Sequence, residues 1–325
     1  MKNLIKVLKI VIPMGIGVYL TWFFYSGLTQ EEKNAIPVAF QNANYFWVFV
    51  SLFVAWLGHV SRAYRWKFLM EPLGYSPKLS NMYHATMIGY VLNFTIPRSG
   101  EIARPGFLAK KENLPFDKVF GTVVAERIID VVMLLLIMGG TTLLVGKEVI
   151  DGFTKNDQAS GPPYFLYAIL GIGIFGVLAF AISKKLRTFF IEKLRGMWEG
   201  IKTIFTMKKR IPFIFHTLFI WFTYIAMMWF MALGVSGMEN LGIQELMVGF
   251  VVGAIAIGIT PGGIGLYPIF ITAALVYFGY DKEVASSFSI LAWVLITILL
   301  VVLGIYSLYA IKIKFSNAEV EEQLS

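Results

Sequence analysis

Apolar residues gather along this chain in long unbroken blocks. Six blocks are each long enough to cross a bilayer as a helix, which takes about 20 residues at a rise of about 1.5 Å each. They are 5–26, 44–66, 117–144, 163–183, 212–235 and 284–311. Two further blocks are broken near their middles, 81–108 at IPRSG (96–100) and 243–279 at TPGGIG (260–265). The pattern predicts an all-α polytopic membrane protein with six full transmembrane helices and two broken, re-entrant hairpins. A β-barrel would show short alternating segments in place of these continuous runs.

Composition agrees with that class. The 325 residues are 57% hydrophobic and 15% charged, with a mean hydropathy of +0.70, whereas a soluble domain carries about 25% charged residues. Cysteine is absent from the sequence, which excludes disulfides, thiolate catalysis and Cys-ligated metals. His59, His84 and His216 lie far apart and lack metal-ligand spacing, so they read as packing or interface residues, and no metal or cofactor is expected. The first block follows Lys2, Lys6 and Lys9 and has no small-residue cleavage site after it, so it reads as a retained signal-anchor helix.

Basic residues set the orientation. Twenty-one of the 28 Lys and Arg residues fall at five places: before the first helix, after the second (Arg62, Arg65, Lys67, Lys78), around Lys110, Lys111 and Lys118, between Lys184 and Arg210, and at Lys312 and Lys314. The remaining loops carry Lys33, Lys147, Lys155 and Lys282 among a larger number of acids. By the positive-inside rule the protein is expected in the cell inner (plasma) membrane, multi-pass, with both termini cytoplasmic. The net charge of +8 follows from that topology, so no nucleic-acid partner is implied.

This orientation brings the run at 81–108 in from the cytoplasm and the run at 243–279 in from outside. Residues 1–325 then form a single transmembrane domain of two halves, 1–146 and 163–314, each ordered helix, helix, hairpin, helix and mutually inverted. From Asn44 to Pro97 is about 53 residues and from Pro212 to Pro261 is 49, and the turns TIPRSGEI and ITPGGIGL echo one another. Inverted repeats whose broken helices meet near the midplane are a recurring transporter plan. The segment 184–210 alternates apolar and basic faces at helical spacing, as a cytoplasmic amphipathic helix on anionic lipid would, and 315–325 forms a cytoplasmic tail.

Charge inside these blocks marks the candidate chemistry. In TIPRSGEIAR (95–104), Glu101 and Arg104 are three apart and share a helix face, and Ser99 is placed to cap the helix that starts there. Arg98, Arg104 and the amides after Gly100 make a corner suited to a phosphate, or the same charges anchor the hairpin at the membrane surface. In GTVVAERIIDVV, Glu126 and Asp130 share a face with Arg127 adjacent, about 12 Å into the helix from Lys118. Ionisable residues at that depth either line a polar cavity or lock the helix to its neighbours by ion pairs, such as Arg127 with Glu101 or Arg104 with Asp130. The second turn is uncharged: Gly262, Gly263 and Gly265 permit positive φ, Pro261 ends one half-helix and Pro268 starts the next. With Pro97 and Gly100 these residues read as hinges of the re-entrant turns.

Three stretches carry a family resemblance: Asn93 followed by PRSGEIAR (97–104), AERIID (125–130) and PGGIG (261–265). In that order and at those separations the chain resembles the lysylphosphatidylglycerol synthase transmembrane (flippase-like) family over essentially its whole length. The resemblance implies an integral membrane protein and, as in the family's best-known members, translocation of an aminoacylated phospholipid between leaflets. Members often carry a Glu after PGGxG, where this chain continues Leu266-Tyr267-Pro268, and an Arg in the last helix, which has no counterpart near Ala292–Trp293. The sequence ends at Ser325 without the soluble domain that charges lipid with an amino acid, so synthesis of that lipid is not expected.

The expected function is therefore translocation of a phospholipid or lipid-linked anionic substrate, with Arg98, Ser99, Glu101, Arg104, Glu126, Arg127 and Asp130 at the substrate and no enzymatic role. Two other readings stand beside it. One is an intramembrane lipid-phosphate phosphatase acting through Ser99, since PRSG resembles a fragment of undecaprenyl-diphosphate phosphatases. The other is a non-transporting membrane regulator.

Overall fold

A computed structural model describes residues 2–95, 99–154 and 207–324, with side chains over 14–94, 99–146 and 207–311. The described residues are helices and turns, without a strand. In chain order the helices are α1 (Lys2–Ser26), α2 (Gln30–Asn42), α3 (Tyr45–Met70), α4 (Leu79–Thr95), α5 (Gly100–Glu112) and α6 (Phe116–Thr154), then α7 (Arg210–Leu233), α8 (Ile243–Ile259), α9 (Leu266–Tyr277) and α10 (Lys282–Leu324). The chain forms two compact units, Met1–Glu126 with Ile211–Ser325 in one and Arg127–Arg210 in the other.

Four stretches are long and apolar enough to cross a membrane: Tyr45–Leu73, Phe116–Gly146, Arg210–Leu233 and Lys282–Ile311. They coincide with the predicted spans 44–66, 117–144, 212–235 and 284–311. The predicted span 5–26 is helical as α1. The predicted span at 163–183, and the amphipathic segment 184–210 up to residue 206, lie outside the described residues, as do Pro97 and Arg98. Large apolar side chains stay exposed on the long helices, among them Phe222, Leu143, Ile305 and Tyr309, as suits surfaces facing lipid tails.

Local chemistry sets several boundaries. Thr29 opens α2 with a capping box: its hydroxyl accepts the Glu32 amide at 3.2 Å, and its own amide donates to Glu32 Oε2 at 2.8 Å, which satisfies two otherwise orphaned N–H groups. Asn44 opens α3 by accepting the Phe46 amide at 3.2 Å, and its own amide donates to Gly234 O at 2.9 Å, tying the start of α3 to the end of α7. At the base of the α4–α5 pair, Glu112 Oε1 accepts from the Lys78 amide at 3.0 Å and from Asn81 Nδ2 at 2.6 Å.

The first broken run folds back on itself, α4 packing along α5. Gly100 sits directly on Gly89, where a Cβ would run into the Gly89 carbonyl; only hydrogen in place of a side chain permits this approach. Ser99 does not cap α5. Its backbone is already helical (φ −65°, ψ −30°), whereas a capping residue is extended, and its hydroxyl donates to Leu92 O at 2.9 Å. Asn93 takes the role instead, its Oδ1 accepting the Gly100 amide at 2.8 Å.

The second broken run packs α8 along α9 through a single 3-10 turn, Pro261–Gly263. Gly262 has φ 59°, and a Cβ there would meet the Phe94 ring. Its carbonyl accepts from Trp293 Nε1 at 2.9 Å. Gly263 and Gly265 share a φ of 76°, and Gly265 lies against Gly17 and Leu20 of α1. Pro268 sits in the first turn of α9, where its missing N–H costs nothing. The ends of the two broken runs therefore touch, Phe94 of the first against Gly262 of the second. Helix α10 packs along α2, α4 and α9, with Gly304 admitting Val91.

Candidate functional site

On α6, Thr122 and Glu126 are one turn apart and therefore share a face. On α3, Arg62, Arg65 and Trp66 fall at helical spacing on the face turned towards them, and Arg104 approaches from α5. The result is three guanidiniums around one carboxylate. Arg62 Nη1 donates to Glu126 Oε1 at 3.0 Å. Arg65 Nη2 lies 3.4 Å from the same oxygen. Arg104 forks, Nη1 to Oε1 at 2.9 Å and Nη2 to Oε2 at 3.1 Å. Glu126 and Arg65 are 0% exposed, Arg62 and Arg104 3%.

Each guanidinium has a second support. The Arg104 guanidinium lies 4.0 Å from the centre of the Trp66 ring, a cation–π contact that gains strength away from water. Trp66 is itself fixed, its Nε1 donating to Thr122 Oγ1 at 2.8 Å, which in turn donates to Val119 O at 2.7 Å. Arg65 Nη1 donates to Thr217 Oγ1 of α7 at 3.3 Å, and its guanidinium lies 5.8 Å from the Phe213 ring. The Arg62 guanidinium lies 6.0 Å from the Tyr224 ring. The cluster thus joins α3, α5, α6 and α7. It holds charge at depth by the one means that makes such burial affordable, paired ions with well-directed hydrogen bonds.

The predicted site residues distribute as follows. Arg104 and Glu126 come together. Ser99 and Gly100 stand at the turn of the first broken run, Pro261, Gly262, Gly263 and Gly265 at the turn of the second. Glu101 is on the first turn of α5, and Arg104 turns from it to Glu126. In the second unit, Arg127 Nη1 pairs with Asp130 Oδ2 at 3.3 Å. Arg62 and Arg65 are the residues that sequence reasoning missed, having been counted among the cytoplasmic basic residues.

The histidines are packed against aromatic and hydroxyl groups. His216 shares a hydrogen bond with Ser61 at 2.8 Å and His84 one with Ser307 at 3.0 Å, while the His59 ring lies 5.1 Å from that of Tyr90 and 6.5 Å from that of Tyr224. Among the described residues no three His, Asp or Glu side chains group to hold a metal. Further along α7, an apolar groove of about 420 Å³ opens between α7 and α8, lined by residues such as Phe222, Trp229, Phe230, Leu241, Ile243 and Leu246.

The family described as Lysylphosphatidylglycerol synthase TM region matches residues 8–304. Similar proteins include the UPF0104 membrane protein MJ1595 of Methanocaldococcus jannaschii, 25% identical over 321 residues that cover 89% of this chain and 90% of the relative. The UPF0104 membrane protein PH1989 of Pyrococcus horikoshii is 23% identical over 316 residues, covering 88% of this chain and 91% of the relative. No solved structure matches this chain.

Proposed function

Because this chain belongs to the family of the lysylphosphatidylglycerol synthase TM region, we propose that it is a flippase-like protein moving a phospholipid or lipid-linked anionic substrate between leaflets. The observation that carries this reading is the Arg62–Arg65–Arg104–Glu126 cluster, a concentration of buried cationic donors inside an apolar helical protein. Salt bridges that only staple helices are common, but three arginines on one carboxylate is the donor set that recognises a phosphate.

On this reading both termini are cytoplasmic in the plasma membrane, and the basic end of α3 places the cluster at the inner leaflet. The broken runs α4–α5 and α8–α9 are re-entrant, the first from the cytoplasm and the second from outside, and belong to two inverted halves. Their contact at Phe94 and Gly262 is the closed gate between the leaflets. The headgroup meets the arginines, while a tail lies along α7, where Trp229 is about 18 Å beyond Thr217, so the apolar groove there suits an acyl chain.

The experiment is reconstitution into vesicles with fluorescent phosphatidylglycerol in one leaflet and chemical quenching from outside. Protein should accelerate redistribution, and Arg104→Ala and Glu126→Ala should abolish the acceleration. An unchanged lipid distribution across a panel of anionic and zwitterionic lipids would leave the regulator reading in its place.

A further inference from the structure

Glu126 has two carboxylate oxygens, and the cluster loads them unevenly. Oε1 accepts from Arg62 and Arg104 and lies within ion-pair distance of Arg65, while Oε2 takes one bond from Arg104. A phosphate offers more oxygens in a tetrahedral arrangement, so that each guanidinium could take its own. Donor capacity is also left over: Arg104 Nε is buried and has no hydrogen-bond partner among the described residues. One turn up α3 from Arg62, His59 Nδ1 is likewise buried and unpartnered, its ring beside the same Tyr224 that faces the Arg62 guanidinium.

Each arginine also has a contact besides Glu126. Arg104 is stacked on Trp66, Arg65 is bonded to Thr217, and Arg62 lies by Tyr224. A phosphate replacing the carboxylate would therefore meet guanidiniums that these contacts already orient, and such preorganisation strengthens binding. Glu126 is held by the arginines alone among the contacts seen, so it is the movable partner of the set.

We infer that Glu126 is a resident counter-ion that a phosphate group displaces from Arg62, Arg65 and Arg104. The ligand class is a phosphate mono- or diester, either the headgroup of a lipid or free phosphate. The inference deepens the translocation reading and rests on it for the route by which the ligand arrives. In the closed protein Glu126 offsets one of the cradle's three positive charges; when phosphate takes over the guanidiniums, the carboxylate is released, and its return drives the phosphate out. Only hydrogen bonds and ion pairs exchange, so no co-reactant is needed.

The test is calorimetric titration of the full chain in detergent with inorganic phosphate, dihexanoylphosphatidylglycerol and dihexanoylphosphatidylcholine. Glu126→Gln removes the competing charge and should bind a phosphate probe roughly tenfold tighter than wild type, with the gain lost again in Glu126→Gln/Arg62→Ala. Binding of all three probes supports a site for phosphate itself, and binding of the lipids alone supports a headgroup site. An affinity in Glu126→Gln equal to or weaker than wild type for every probe overturns the inference.

Glu126→Gln leaves buried arginines without their carboxylate and can fail to fold. Recovery of folded protein by phosphate during purification then supports the displacement. Should Glu126→Gln stay unfolded with phosphate present, Glu126→Asp decides, since the shortened side chain withdraws the carboxylate yet keeps its charge: tighter phosphate binding supports the inference, unchanged binding overturns it. A wild type that moves lipid while no variant gains phosphate affinity refutes the counter-ion role and spares the translocation reading. A gain in affinity without lipid movement does the reverse.

Discussion

Arg104 grips Glu126 with both terminal nitrogens, Nη1 on Oε1 at 2.9 Å and Nη2 on Oε2 at 3.1 Å, and so binds α5, the second helix of the first broken run, to the long apolar helix α6. A lysine keeps the charge but loses the fork and the stacking on Trp66. Arg104→Lys is expected to destabilise by about 1–3 kcal/mol, and Arg104→Ala by about 3–5 kcal/mol because the buried carboxylate loses its main partner. Thermal unfolding of the purified variants in one detergent checks the order; Arg104→Lys equal to wild type would show that the fork contributes nothing.

Two glycines of the same helix should respond in opposite directions. At Gly100 a Cβ would collide with the Gly89 carbonyl, backbone that cannot turn aside, so Gly100→Ala should cost about 1–3 kcal/mol. At Gly106 the nearest atom is Phe116 Cε2 at 3.9 Å, an ordinary contact, and the change removes a flexible residue from a helix. Gly106→Ala should therefore gain about 0.5–1 kcal/mol. Paired melting curves test this, and equal shifts in the two variants would refute the close packing of α4 on α5.

Much of this arrangement was legible in the sequence, and what was not has a physical reason. Continuous hydrophobic runs gave the starts of the described long helices within three residues, although α6 and α10 run on past the predicted ends at 144 and 311, since a helix keeps its backbone hydrogen-bonded in lipid. Proline and glycine marked both breaks, because each changes what the backbone can do locally. Arg62 and Arg65 were read as topology signals alone, because that signal counts positive charge without regard to where the side chain points. Loop lysines and buried arginines score alike. The discriminating sign was present in SRAYRW, two arginines three apart with a tryptophan beside them at the end of an apolar run. Helix α2 was missed altogether, although Thr29 and Glu32 carry the spacing of a capping box. The cap at Gly100 came from Asn93, seven residues back, a contact made only once α4 folds onto α5.

Glu32 should give this protein a pH-dependent element outside its spans. Burial raises its carboxyl pKa, but the Thr29 amide, the Lys282 ammonium at 3.1 Å and the Thr29 hydroxyl outweigh that and hold it below its ordinary 4.5. A carboxyl whose folded value is depressed binds fewer protons in the native state, so its stabilisation is present above 4.5 and fades as pH falls through its lower folded value. Glu32→Gln keeps an acceptor for the capping box and should cost up to about 1 kcal/mol near neutrality through the lost pairing with Lys282. The gap between wild type and variant should close as melting temperatures are followed from about pH 7 to about pH 3; a gap that stays constant would mean that the charge of Glu32 is irrelevant.

The touching ends of the two broken runs give the sharpest test of movement. Phe94 and Gly262 are in contact, and the sequence contains no cysteine, so thiols introduced as Phe94→Cys and Gly262→Cys have only each other to bond. Position 262 has φ 59°, where a side chain costs about 1–2 kcal/mol, a strain that the buried turn and the Trp293 bond to its carbonyl should withstand. If the ends must part for a headgroup to pass, oxidation should slow labelled-lipid movement by roughly tenfold or more, as closing any obligatory gate does, and reduction should restore it. Each single-cysteine variant, oxidised alongside, controls for the strain. Full crosslinking with undiminished movement would show that the lipid passes elsewhere and that Phe94 on Gly262 is a structural seam.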